Sequence, residues 1–107
     1  MLVDIDFKKL GFNVSNIGFY KVSKLGIVYR IDILDHGKLK PVNCLGGAYT
    51  YPYFNYFGKR VKIANVLISH YLDLNYNRYK ISFKDNNRKN TRLDNIICTL
   101  NNVKLKH

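Results

Sequence analysis

Apolar and polar residues alternate with a period of two through the first half of the chain. Cut by turn residues, that alternation predicts strands over residues 19–22, 25–33 and 39–42. Asp35-His36-Gly37 supplies the turn between the second and the third. Gly46 and Gly47 then break the pattern before residues 49–56, where Tyr49, Tyr51, Tyr53, Phe54 and Tyr56 make nearly every second position aromatic and Pro52 marks an edge or a bulge. Gly58-Lys59 is the next turn. It leads into a short strand over residues 60–63, with Arg60 and Lys62 on one face and Val61 and Ile63 on the other. Together these strands make an antiparallel meander.

The period changes after Ile63. Ile63, Val66, Leu67 and Tyr71 fall at the spacing of one helix face, while Asn65, Ser69 and His70 fall elsewhere, which predicts a helix over residues 64–73. Residues 74–79 are polar and Asn-rich and serve as a linker. A strand follows over residues 79–83, and then residues 84–91, Lys-Asp-Asn-Asn-Arg-Lys-Asn-Thr, form a polar excursion with no apolar side chain. Residues 95–100 return as an apolar strand, and residues 101–107 are too short for more than one helical turn.

The fold class that follows is α+β: a small antiparallel β-meander packed on one central helix, followed by a hairpin. The 107 residues, 47% of them apolar, suffice for one domain with one modest core. Within that single domain, 1–107, the sheet module covers residues 16–63, the helix 64–73 and the hairpin 79–100. Apolar runs such as Val66-Leu67-Ile68 are too short to cross a bilayer, and the first six residues do not form a secretion signal, so a cytoplasmic, intracellular protein is expected.

Charge narrows the choice of partner. Eighteen Lys and Arg stand against seven acidic residues, all Asp, for a formal net charge of +11. Residues 1–57 carry a net +3 and residues 58–107 a net +8, so the excess belongs to the second half. A cationic ligand and a DNA-mimicking acidic surface are disfavoured, and a polyanion, most simply nucleic acid, is favoured. Arg60, Lys62, Lys84, Arg88, Lys89 and Arg92 are the candidate phosphate contacts, with neutral amides interspersed in the polar loop. The alternating Tyr and Phe of residues 49–56 pack one face on the helix and leave the other for solvent or for stacking. Cys44 and Cys98 lack partners at ligand spacing and read as reduced thiols packed within strands. His36, His70 and His107 are scattered, and His70 with Asp73 reads as an exposed ion pair or cap. No metal site and no cofactor are expected.

Several motifs, taken in order, resemble a known family. Val22-Ser23-Lys24-Leu25-Gly26-Ile27-Val28 resembles the V-S-N-x-G-x-V opening of the small module that precedes many phage and intron HNH nucleases. Gly37-Lys38-Leu39-Lys40-Pro41, Gly47-x-Tyr49-x-Tyr51, Gly58-Lys59-Arg60-Val61 and the helix follow in the family's order. Residues 81–96, Ile-Ser-Phe-Lys-Asp-Asn-Asn-Arg-Lys-Asn-Thr-Arg-Leu-Asp-Asn-Ile, are similar to the family's V-N-H-I-D-G-N-x-x-N-N-R-L-E-N-L. The resemblance spans residues 16–100 and implies that the hairpin is a ββα-metal-like one, truncated before its last helix.

An HNH nuclease needs a His general base and a divalent ion that stabilises charge on the phosphate. In this chain the His position is Phe83 and the preceding ligand position is Ser82, and neither supplies an imidazole. The helix-opening His and Arg of the family correspond to Ala64 and Asn65. Asp85, Asn87, Asn90 and Asn95 match the polar positions that shape the loop through side-chain to backbone hydrogen bonds, with Asn95 as a buried structural amide. The resemblance thus implies a degenerate nuclease: a non-catalytic protein that binds nucleic acid, DNA in preference to RNA, through a basic loop and strand. The alternative is a phage-encoded inhibitor of a host defence or nucleic-acid-processing complex, acting in the host cytoplasm. A ribonucleoprotein component and a residually active nuclease rank below both.

Overall fold

A computed structural model describes residues 2–46 and 51–100. The architecture is α+β, with antiparallel strands in three small sheets around one helix. Strands β1 (Val3–Asp4), β2 (Tyr20–Val22), β3 (Val28–Asp32) and β4 (Lys38–Pro41) form a four-stranded sheet in chain order. Strands β5 (Tyr53–Tyr56) and β6 (Lys59–Lys62) form a separate hairpin, and β7 (Tyr79–Phe83) pairs with β8 (Ile96–Leu100) in another. Helix α1 (Ile63–Tyr71) follows β6 without a break.

The expected continuous meander is therefore divided. Pro52 carries no N–H to extend a ladder, so β5 begins at Tyr53, and one isolated bridge, Leu45 to Tyr53, joins the segment after β4 to β5. Residues 47–50, which hold the expected strand start and Tyr49, lie outside the described residues, as do residues 101–107 with His107. The strand expected from residue 25 starts instead at Val28. The Gly26 N–H donates to the Ser23 carbonyl at 3.0 Å, and the Ser23 hydroxyl accepts from Leu25 and Ile27, so these residues make a turn. The β5–β6 turn falls on Phe57-Gly58, one position earlier than expected. Both residues have positive φ, +49° and +75°, as a two-residue turn of type I′ requires.

One buried cluster holds the elements together. Helix α1 buries Ile63, Val66, Leu67 and Ile68, along with Ala64 and Ser69, a wider stripe than the single face its periodicity marks. Ser69 tolerates burial because its hydroxyl donates to the Asn65 carbonyl at 2.9 Å. Phe54, Tyr56 and Val61 project into the core from one face of β5–β6, leaving Asn55, Arg60 and Lys62 outside.

The N-terminal segment, to which residue patterning assigned no element, supplies Ile5, Phe7 and Leu10 to this core through β1 and a short 3₁₀ turn, Phe7–Leu10. Phe7 stacks on Tyr56 with ring centroids 3.7 Å apart and meets Phe12, Tyr20 and Phe54 edge-on. Asn16 bonds the Tyr56 hydroxyl, satisfying a polar tip in an apolar setting.

His70 is half-buried and pins that segment, rather than forming the expected exposed pair with Asp73. Its Nε2 accepts from the Asp6 N–H at 2.8 Å, so the proton sits on Nδ1, which donates to the Val66 carbonyl at 3.0 Å. Asp73 pairs with Lys9 instead. The expected linker is also structured. Tyr76 opens a 3₁₀ turn, packs with Leu74 against the core, and donates its hydroxyl to the Leu10 carbonyl at 3.1 Å. The two cysteines differ: Cys44 is exposed in the loop after β4 rather than packed in a strand, whereas Cys98 is half-buried on β8 and packs against the core. Partial desolvation pushes both thiols up.

Among the described residues, no helix is long and apolar enough to cross a membrane.

Candidate nucleic-acid interface

The polar loop between β7 and β8 is rigidly shaped by its own side chains. Asp85 accepts from the Asn87 N–H at 2.8 Å, from the Asn90 amide at 2.8 Å and from the Asn95 amide at 2.9 Å. Asn95, 7% exposed, also donates to the Asn90 carbonyl at 2.8 Å and accepts from the Asp85 N–H at 3.2 Å. The four residues expected to shape the loop thus form one network. The Asn90 and Asn95 amides, followed by the Asn87 N–H, hold the Asp85 carboxyl below the usual carboxylate range.

The loop is braced from outside by the turn between β2 and β3. The Leu93 N–H donates to the Lys24 carbonyl at 2.7 Å. Thr91 is buried against Gly26, where a Cβ would lie 2.5 Å from both the Thr91 carbonyl oxygen and its hydroxyl. Only glycine fits that approach, and its φ of +81° is a second reason for glycine there.

The six candidate phosphate contacts divide by position. Arg60 and Lys62 stand on the exposed face of β6, opposite Asn55 and Tyr53 of β5. The Arg60 guanidinium lies 4.6 Å from the centroid of Tyr53. Lys62 and Arg88, separated in sequence by the whole of α1 and β7, converge on one ring: the Lys62 ammonium is 5.1 Å and the Arg88 guanidinium 5.3 Å from the centroid of Tyr51. Lys84 is exposed where β7 enters the loop.

Lys89 and Arg92 belong to other surfaces. Lys89 lines a cleft with Gly26, Leu45 and Thr91, and Arg92 lines another with Lys24 and Leu25, its Nε 3.7 Å from Asp94. Such an exposed ion pair contributes little to stability.

Tyr51 is the joint of this surface, and two clefts meet at it. A cleft of about 290 Å³ is lined by Tyr51, Lys62, Asn65, Tyr76, Tyr79 and Ile81. A second, of about 200 Å³, shares Tyr51 and Ile81 and adds Ser82, Phe83 and Arg88. Patterning alone did not single out Tyr76 and Tyr79. The signal was present, since Tyr79, Ile81 and Phe83 alternate on one face of β7 and that face is the covered one.

Phe83 and Ser82 occupy the positions where the resembled nuclease family has its base and ligand. Phe83 is 7% exposed, pairs with Ile96, and its ring lies 5.8 Å from that of Tyr51. Ser82 points to the exposed face. A phenyl ring neither coordinates a cation nor takes a proton, so these residues do not fit the family's metal and base. Among the described residues, no three His, Cys or Asp side chains gather as metal ligands. Comparison with family models, with curated proteins and with solved structures finds no match for this chain.

Proposed function

We propose that this chain is a non-catalytic DNA-binding protein of HNH-nuclease ancestry, which grips the phosphate backbone through β6 and the loop after β7. The observation that carries the reading is the meeting of Lys62 and Arg88 over Tyr51. Two cations from distant parts of a strongly basic chain meet at one aromatic ring, and that meeting supports an anion site between them. Arg60 and Lys84 extend the positive strip, and the braced loop keeps Arg88 in place at little entropic cost on binding. The order of motifs over residues 16–100 supports the ancestry, and the Phe83 and Ser82 positions support the loss of catalysis. On this reading the protein acts in the cytoplasm.

The test is the salt dependence of DNA binding. With Arg60, Lys62, Lys84 and Arg88 each neutralising a phosphate, the logarithm of the association constant falls against log salt with a slope of roughly −3 to −4. A flat response overturns the reading. Chelator-sensitive nicking of plasmid in Mg²⁺ overturns its non-catalytic part.

A second reading, an inhibitor that docks on a nucleic-acid-processing protein of a phage host, is favoured by one feature. Ile33 and Leu34, at the turn before β4, are 71% and 98% exposed. Protein capture that survives nuclease treatment and is lost on Leu34→Asp supports this second reading.

A further inference from the structure

We infer that the cleft beside Tyr51 receives an unpaired nucleobase, so that the DNA recognised is a single strand rather than a duplex. This rests on the DNA-binding reading and deepens it.

The shape of the site comes first. A duplex is read by an element that protrudes into a groove, whereas here Lys62 and Arg88 line concavities. At about 290 Å³ the larger cleft lies just below the roughly 300–1,000 Å³ of drug-sized ligand sites, so it holds one heterocycle and excludes a base pair with its backbones.

The lining matches that occupant. Three tyrosines, Tyr51, Tyr76 and Tyr79, with Ile81 between them, give an apolar and aromatic wall of the kind on which bases stack without sequence preference. Tyr76 is tethered by its hydroxyl to the Leu10 carbonyl, so its ring is held before any ligand arrives, and Tyr79 has its backbone set in the β7–β8 ladder. Asn65, on the first turn of α1, sets an amide at the edge of the cleft, where a base presents donors and acceptors. Lys62 lies on the wall of the larger cleft and Arg88 on that of its neighbour, with Tyr51 shared between them. A strand that inserts one base beside Tyr51 therefore carries its two flanking phosphates past one cation and then the other.

The experiment compares three labelled probes of about ten nucleotides: a single strand, the same strand with abasic sites, and its duplex. The single strand is expected to bind most tightly. Tyr79→Leu and Tyr51→Leu, which keep an apolar side chain and are checked for native circular dichroism, should each cut the preference for the intact over the abasic strand by roughly 5- to 100-fold. Lys62→Gln, at an exposed position, lowers affinity for both strands in proportion. Equal affinity for intact and abasic strands, or tighter binding to the duplex, overturns the base pocket while leaving DNA binding standing. Failure of all three probes to bind overturns both.

Discussion

Replacing Asn95 by Ala removes three hydrogen bonds at once: to the Asp85 carboxylate, to the Asn90 carbonyl, and from the Asp85 N–H. At a net value of about 1 kcal/mol each, the loss is about 3 kcal/mol. The side chain is buried, but Asp85 and Asn90 lie at the surface, and water reaching their exposed groups limits the cost to about 2–3 kcal/mol. Against a total of about 5–15 kcal/mol for a domain of ordinary stability, that is a large fraction.

In urea, where small proteins lose about 1–3 kcal/mol per molar denaturant, the unfolding midpoint of Asn95→Ala should fall by about 1–3 M with the slope unchanged. Because Arg88 stands inside the loop that Asn95 closes, DNA affinity should fall in the same variant. Asn95→Asp sharpens the test. It sets a second carboxylate against Asp85, so its deficit relative to wild type should narrow as pH is lowered and one of the two takes a proton. A midpoint for Asn95→Ala corresponding to less than about 0.5 kcal/mol of destabilisation, within the spread of surface substitutions, would refute the network as the source of the loop's shape.

Two glycines with similar φ separate strain from crowding. Ala at Gly37, φ +74° with nothing near its Cβ, should cost only the left-handed penalty of roughly 1–2 kcal/mol, whereas Gly26→Ala adds overlap with Thr91 of roughly 1–3 kcal/mol. Equal melting temperatures would show that the close approach of the β2–β3 turn to the loop is not maintained in solution. For His70, burial and then the Lys9 charge lower its pKa, opposed by the Val66 carbonyl and Asp6. A lowered folded pKa means that its contribution to stability is present above about pH 6.5 and is lost as pH falls through the folded value. Urea midpoints should therefore drop across mildly acidic pH, and His70→Gln should flatten that dependence. Asp85, also lowered, acts in a separate and more acid window, below about pH 3.8.

Local patterning made much of the fold legible. The alternation at residues 60–63 places Arg60 and Lys62 outside and Val61 inside, and the 3.6-residue period locates α1 to within two residues at either end. Asp85, Asn87, Asn90 and Asn95 carry turn-forming side chains whose spacing announces their loop. What escaped are relations between distant segments. β1 has two residues, too few for any period to show, and it exists because β2 pairs with it and His70 receives the Asp6 N–H. Nothing around Tyr76 indicates that its hydroxyl reaches Leu10, so a polar stretch read as a linker. The strand patterns likewise specify which faces are buried but not which strands pair, and so the expected meander is divided between the four-stranded sheet and the β5–β6 hairpin, while β7–β8 is the separate hairpin expected.

The ties on the N-terminal segment also set an order of events during synthesis. Asp6 meets His70 across 64 positions and Leu10 meets Tyr76 across 66. At about 5–20 residues per second, a ribosome needs roughly 3–13 s after making Asp6 before it has made His70. Throughout that interval Ile5, Phe7 and Leu10 lack the completed α1, and Tyr56 is made only towards its end. Ile5, Phe7 and Leu10 thus wait uncovered on the nascent chain, and a chaperone that holds short hydrophobic segments would find them there until α1 emerges.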